Sequence, residues 1–141
     1  MNHASLNSEV NAMNEAQKWC IKSKTSKGTV CGRWTDISVI EFRDKHFIIA
    51  TDCGKIGSMI QVLPEASVSK SSSSILNSKV ILGKDEAEIH AVARSLVEGF
   101  KFNKPVIFGF SVKEYTKSSV SDLKQLIATT GGYECYEEVN A

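Results

Sequence analysis

Two segments pair a glycine with a lysine, as many phosphate-binding loops do. They are Gly54-Lys55 and Gly83-Lys84. A phosphate-binding loop needs the spacing GxxxxGK[ST], because this spacing arranges backbone amides around the phosphate group. Neither segment has that spacing, and Lys55 falls in a predicted turn between two strands. The sequence therefore predicts no phosphate cradle.

One pair of residues has a spacing suited to metal binding. Glu86 and His90 stand four residues apart, which brings both side chains to the same face of a helix. A protein metal site needs more ligands than two, and no third ligand lies within sequence reach. His46 begins a predicted strand without a partner, and His3 lies near the N-terminus. A solvated Glu–His pair is the favoured interpretation, and we predict no metal site.

Nucleophilic catalysis would need a cysteine or serine beside a base. Cys31 and Cys53 lie among residues typical of strands, where most cysteines are small core side chains. No serine stands in a nucleophile-elbow motif. A cysteine–histidine site formed in three dimensions stays open. We predict that the protein is not an enzyme, with no catalytic residues and no cofactor.

The composition is that of a single globular domain. A chain of 141 residues is long enough for a hydrophobic core, and its formal net charge of +1 favours neither nucleic acid nor a membrane as partner. The four cysteines are far apart, without a CxxC pair. We find no signal peptide and no apolar run near the roughly 18 residues of a membrane helix. These features predict a cytoplasmic protein with free thiols, with the nucleus as a second compartment.

Both termini and one internal segment are predicted to lie outside the folded core. Residues 1–16 are polar and rich in asparagine, and we predict a flexible tail there, ahead of one domain over residues 17–130. Residues 131–141 are interpreted as a C-terminal tail. Residues 65–78 are rich in serine and are predicted to form a mobile surface loop.

The first half of the chain alternates as strands do. Trp19–Ile21 is interpreted as an edge strand followed by protective lysines. Thr35–Phe42 places apolar side chains on both of its sides. His46–Thr51 contains an unbroken apolar run, which predicts cover on both faces. Gly57–Leu63 follows, and short turns join the last three of these strands into a predicted antiparallel meander.

The segment Lys79–Phe100 joins a predicted strand directly to a predicted helix. Three apolar residues run into Gly83, and apolar residues then recur with helical spacing as far as Phe100. Asp85 is the predicted N-cap. Glu88 follows three residues later, at the position of the acidic residue in a capping box.

A further strand and helix complete the predicted fold. Val106–Val112 alternates, and its two phenylalanines share a face that a helix would cover. The last helix is predicted over Val120–Ala128, with Ser119 as its cap. Strands first and helices late are typical of an α+β domain. We predict an antiparallel meander sheet with two helices packed on one face.

The other sheet face is predicted to be apolar too. Ile40 and Phe42 point towards it, with Ile107 and part of the run Phe47–Ala50. A chain of this size has no further element to cover that face, and a contiguous apolar patch usually marks an interface. We predict dimerisation through this face. The predicted interface residues are Ser38, Ile40, Phe42, Ile107 and Lys55.

Three motifs in order resemble the proteasome assembly chaperone 3 family. The first is Val30-Cys31-Gly32, and the second is the turn Gly54-Lys55-Ile56-Gly57. The third is a strand and junction that lead to a histidine on a helix, and it consists of Val80, Ile81, Leu82, Gly83, Asp85, Glu86, Ile89 and His90. The resemblance covers about Trp19–Thr129.

The resemblance implies a chaperone of the eukaryotic cytosol without catalytic activity. Members of the family pair with a second copy or with proteasome assembly chaperone 4 through a sheet-based dimer. The dimer binds α-type subunits and helps the seven-membered α-ring of the 20S proteasome to form. Two other classes stay open: a small α+β adaptor or binding module of another cytosolic complex, and an enzyme whose site forms across a dimer.

Overall fold

The computed structural model describes residues 20–64 and 76–134, which form six strands and two helices. In chain order these are β1 (Lys22–Val30), β2 (Arg33–Glu41), β3 (His46–Thr51), β4 (Ser58–Pro64), β5 (Leu76–Leu82), α1 (Ala87–Phe100), β6 (Val106–Ser111) and α2 (Lys117–Gly131). The predicted N-terminal tail and residues 65–75 of the predicted loop lie outside the described residues. Within these residues, no helix is long and apolar enough to cross a membrane.

The described strands form one sheet in the order β1-β2-β3-β6-β4-β5. Strands β3 and β6 run parallel, and the other neighbouring pairs run antiparallel. Strand β1 lies at one edge and exposes Lys22, Lys24 and Lys27. The prediction of an edge strand over Trp19–Ile21 is wrong at Cys20 and Ile21, which precede β1, and the lysines lie within the strand itself. The mostly antiparallel sheet with its helices confirms the predicted α+β class.

The predicted meander of β2, β3 and β4 is correct for the pairing of β2 with β3 and wrong for β4. Strand β6 pairs with both β3 and β4, so it separates two strands that are consecutive in sequence. The β3–β4 connection passes the end of β6, where the Asp52 N–H donates to the Ser111 carbonyl at 2.9 Å. Consecutive strands usually pair. Strand β6 takes the central place instead because its Val106, Phe108 and Phe110 need burial under the helices.

The hydrophobic core lies between the sheet and the helices. The whole predicted stripe of α1 is buried, and it consists of Ile89, Val92, Ala93, Leu96, Val97 and Phe100. Helix α2 buries Leu123 and Ile127. It also approaches β1 closely at Gly28, where a Cβ atom would lie only 2.1 Å from a Leu126 methyl carbon.

Both helices begin at residues other than those predicted. Helix α1 has Glu86 as its N-cap residue, without a capping side chain, and Asp85 binds His90 instead. Helix α2 begins at Lys117, because Thr116 is the N-cap and forms a capping box with Ser119. The imidazole therefore competes with the helix amides for Asp85. Ser119 contributes to the cap from the third helical position.

The fold also includes residues that were predicted to be loop or tail. Strand β5 begins at Leu76, so residues 76–78 belong to the sheet. Helix α2 continues to Gly131, and Gly132 ends it with a φ of 69°. Tyr133 then packs among three rings, with centroid distances of 5.0 to 5.8 Å, from His46, Phe100 and Phe102.

Candidate functional surface

The sheet face opposite the helices carries an apolar row across its central strands. Ile40 of β2 pairs with Phe47 of β3, and Phe47 pairs with Ile107 of β6. All three are half-buried, whereas Val39 and Ile48, which point to the helices, are buried. Directly opposed side chains on neighbouring strands lie within contact distance. The three residues therefore form one continuous apolar strip.

A second row lies beside the first. It joins Ser38 of β2, Ile49 of β3, Gly109 of β6 and Met59 of β4. We call the surface formed by these two rows the open face. The register brings the predicted residues Ser38, Ile40 and Ile107 together there. Cover on both faces of β3 was predicted, but within the described part of one chain Phe47 and Ile49 are only half-buried.

The other two predicted interface residues lie at opposite ends of the open face. Phe42 follows β2 directly, and the Lys45 ammonium lies 5.4 Å from its ring centroid. Lys55 is exposed in the turn after β3. Its N–H donates to the Thr51 hydroxyl at 3.2 Å, and that hydroxyl donates to the Lys55 carbonyl at 2.7 Å. Gly54 gives this turn its positive φ of 74°.

The sequence reasoning missed large apolar residues around the open face. Ile56, 40% exposed, lies over Gly109, where a Cβ atom would be 3.2 Å from its Cγ2. Trp34 is 70% exposed, and Leu63 is 37% exposed. A glycine in the middle of a strand often marks a close approach by another group, so Gly109 could have revealed Ile56. Trp34 shares its strand face with Ser38 by simple alternation.

Cys31 and Cys53 are both exposed, which corrects the prediction that they are core side chains. Each lies in a turn just after a strand, and Cys31 has a φ of 49°. Cys53 borders a cleft of about 560 Å³ beside Trp34. Hydrogen bonds from the Ser111 hydroxyl, the Lys55 N–H and the Thr51 hydroxyl hold the pKa of the Cys53 thiol below its usual value.

The predicted Glu86–His90 pair does not form, and His90 makes other contacts. Its Nε2 lies 2.5 Å from a carboxylate oxygen of Asp85, and its Nδ1 lies 2.7 Å from the Ser78 hydroxyl. The Arg94 Nε also donates to that hydroxyl, at 3.1 Å. These contacts connect the edge strand β5 to α1. In residues 20–64 and 76–134, no group of three His, Cys, Asp or Glu side chains could hold a metal ion.

His46 lies in a buried polar pair at the other end of the helices. Its Nδ1 lies 3.2 Å from the Tyr133 hydroxyl. Burial, together with the positive charge of Lys104, lowers the pKa of His46, and burial raises the pKa of Tyr133 to about 12. Both groups are therefore neutral at physiological pH. The pair ties the end of the chain beyond α2 to the first residue of β3.

Comparison with known proteins adds a family likeness to these observations. Residues 48–130 match the family model described as proteasome assembly chaperone 3. The chain is 30% identical over 108 residues to proteasome assembly chaperone 3 of Homo sapiens, an alignment that covers 74% of this chain and 88% of the relative. It is 28% identical over 110 residues to the Bos taurus protein of the same name, which covers 76% of this chain and 90% of the relative.

A solved structure shares the fold. It is a chain from a crystal structure described as a novel chaperone complex for yeast 20S proteasome assembly. The superposition has a TM-score of 0.64 with 9% sequence identity, and it covers 79% of this chain and 98% of the other. At this identity the likeness concerns the arrangement of strands and helices alone.

Proposed function

The chain belongs to the proteasome assembly chaperone 3 family, and we propose that it promotes assembly of the 20S proteasome α-ring by binding α-type subunits as a dimer, without catalysis. One observation carries the physical part of this proposal. The open face places Ile40, Phe47 and Ile107 in one apolar row that no helix or strand of the described residues covers. A surface of this kind is suited to binding another protein.

A dimer would cover the open face with an equivalent sheet. Two sheets that pack face to face interdigitate their inner side chains, and a two-fold axis brings the same residues together from both chains. The half-buried strip around Phe47 supplies the centre of such an interface. Exposed Trp34 and Ile56 supply large side chains nearer its rim. We propose that the partner is a second copy or proteasome assembly chaperone 4.

The proposed activity requires only binding to other proteins and no catalysis. A chaperone that favours one arrangement of subunits needs different affinities for the correct and the incorrect arrangement. The polar groups that could have suggested catalysis contact one another: His46 with Tyr133, and His90 with Ser78. We propose that the protein acts in the cytoplasm on newly made α-subunits, with the nucleus as a second compartment.

Affinity purification from the source cell under native conditions tests this function. The proposal expects recovery of 20S α-subunits without mature β-subunits, because a chaperone of the ring acts before the particle is complete. Recovery of a different stable complex, without α-subunits, would contradict the proposal and would indicate an adaptor. A zinc or cofactor signal in the purified protein would indicate an enzyme.

A matched pair of variants connects the function to the open face. Ile40→Asp places a carboxylate in the apolar strip, and we expect it to reduce recovery of α-subunits. Gln125→Asp places the same charge on the exposed side of α2, and we expect recovery to remain at the level of the unmodified chain. An equal loss for both variants would show that the open face has no special role.

A further inference from the structure

A groove between α1 and α2 lies on the side of the molecule away from the open face. Its volume is about 470 Å³. We propose that this groove binds an acidic amphipathic helix of a partner protein, separately from the dimer contact. The groove would thus be a second binding surface, for a partner of defined chemistry, in addition to the open face.

Small side chains create the groove. On the α1 side, Ala91 and Ser95 are one helical turn apart, and on the α2 side Ser121 faces the same space. Such side chains cannot fill the gap between two helices. They also allow a third helix to approach to the 8–10 Å that separates packed helix axes. Val92 and Val120 supply apolar contacts in the groove.

Different residues define the two ends of the groove. Towards the C-terminal ends of the helices, the Lys124 side chain crosses to α1 at Gly99, where a Cβ atom would be 3.4 Å from the Lys124 Cε. Beyond this crossing, the rings of Phe100 and Tyr133 lie 5.8 Å apart and pack together. Lys124 therefore marks one end of the groove. Tyr115 and Lys117 line the end near the start of α2.

The charges of the groove identify the kind of helix that fits it. Lys117 and Lys124 are seven residues apart, so both side chains leave α2 on the same side, about 10 Å apart along its axis. The Lys124 ammonium lies further across the groove, towards α1. Among the described residues, neither ammonium makes an ion pair or a hydrogen bond. Two unpaired cations beside an apolar floor are complementary to an apolar stripe with carboxylates seven residues apart.

The position of Lys117 strengthens this complementarity. It is the first residue of α2, where the positive end of the helix dipole makes a cation unfavourable. A carboxylate from a partner would be attracted to both the ammonium and the helix terminus. Glu88, which lines the groove on the α1 side, repels acidic groups there and so directs them towards Lys117 and Lys124. An acidic flank on one side of the guest helix matches this asymmetry.

Three matched peptides test the proposal. They are helical 15-residue probes with an identical leucine and alanine stripe, whose flanking positions carry only glutamate, only glutamine or only lysine. Binding of fluorescein-labelled probes to the full chain is followed by anisotropy at low ionic strength. We expect the acidic probe to bind about tenfold more tightly than the basic one, since each partly exposed ion pair contributes modestly.

Charge reversal assigns the binding to the groove. Lys117→Glu with Lys124→Glu is expected to reverse the order of the acidic and basic probes. The control, Lys24→Glu with Lys79→Glu, has the same net charge on exposed sites in β1 and β5, and it should leave the order unchanged. Ala91→Trp fills the groove and is expected to weaken binding of all three probes.

Three results would overturn the proposal. The first is equal affinity for the acidic and basic probes, and the second is no saturable binding of the acidic probe. The third is binding that appears only after deletion of residues 135–141, which include Glu137 and Glu138. That result would assign the groove to the chain's own C-terminal segment.

Discussion

At the scale of single residues, His90 joins two elements through its two ring nitrogens. A carboxylate only accepts hydrogen bonds, so the Nε2 proton points at Asp85, and in the neutral ring Nδ1 accepts from the Ser78 hydroxyl. The two contacts differ in environment, because the Asp85 side chain is 74% exposed while that of His90 is 18% exposed. The contact with Ser78 should therefore contribute most of the stabilisation.

We expect His90→Gln to loosen the attachment of β5 to α1. The lost hydrogen bonds should lower the free energy of unfolding by about 1–2 kcal/mol and speed amide exchange in β5. Asp85→Asn is the control, with an expected loss below about 0.5 kcal/mol, since a contact with a carboxylate this exposed contributes little. Urea unfolding and hydrogen exchange measure both effects. A larger loss for Asp85→Asn than for His90→Gln would contradict this assignment.

His46 predicts a dependence of stability on pH. Burial and the nearby Lys104 lower its pKa in the folded chain, so the unfolded chain takes up the proton first as the pH falls. The free energy of unfolding should therefore decrease as the pH falls below about 6.5, the pKa of an unperturbed histidine. Once the pH is below the pKa of His46 in the folded chain, this histidine should cause no further decrease. His46→Gln removes the titrating group. Urea unfolding at pH 7.5 and 5.5 should show a smaller decrease for the variant, and an equal decrease would exclude His46 as the cause.

At the scale of elements, Gly83 sets the direction of the chain between β5 and α1. Its φ is 92°, and a Cβ atom there would lie 2.6 Å from the Gly57 carbonyl oxygen and 2.9 Å from the Ser58 Cα. The strand-to-helix junction thus packs directly on the backbone at the start of β4. Gly54 also has a positive φ, of 74°, but nothing lies within 4 Å of a Cβ atom built on it.

We expect Gly83→Ala to be much more harmful than Gly54→Ala. Both substitutions force an alanine into a left-handed conformation, which costs roughly 1–2 kcal/mol. Only Gly83→Ala adds a backbone collision, so its total loss should exceed about 2 kcal/mol. The free energy of unfolding in urea measures both variants. Similar losses of stability for the two variants would contradict this prediction, because they would mean that β4 can shift away from residue 83 without destabilising the fold.

Much of this architecture could be predicted from local patterns. Alternation identified the outward-facing Ile40 and Ile107, and helical spacing identified the complete buried stripe of α1. The place of β6 between β3 and β4 could not be predicted that way, because strand order depends on which strand most needs burial. The predicted N-cap of α1 was wrong because Asp85 contacts His90 instead of the helix amides. The position of His90 in turn depends on its contact with Ser78 of β5.

The candidate surface was predictable to a similar extent. Register placed Ser38, Ile40 and Ile107 together, as alternation along the strands required. Ile56 was missed because it lies in a turn, where no periodic pattern indicates direction. The exposed thiol of Cys53 was missed for the same reason. Sequence patterns therefore located the strands of the open face but not the loops around it.

At the scale of the whole molecule, the protein presents two surfaces of different character. The open face is an apolar sheet surface, and the groove between α1 and α2 has a small apolar floor and is lined by Lys117 and Lys124. The core separates them, so a dimer partner on one side leaves the other side accessible. We therefore expect changes on one surface to leave binding at the other unaltered.

Dimerisation through the open face has a direct test. Ile40→Asp or Ile107→Asp would bury an unpaired charge in the interface, which costs several kcal/mol, so the dissociation constant should rise at least about 100-fold. Multi-angle light scattering of the purified chain should then report monomers. Gln125→Asp should remain dimeric. An unchanged dimer in both open-face variants would place the interface elsewhere.

We have proposed that this protein helps α-subunits form a ring. The most direct measurement is co-expression of the α-subunits with and without the chain, followed by native mass spectrometry of the rings. We expect more seven-membered rings with each subunit in its correct place when the chain is present, and a return to the lower yield with Ile40→Asp. An identical yield of correct rings with and without the chain would contradict it.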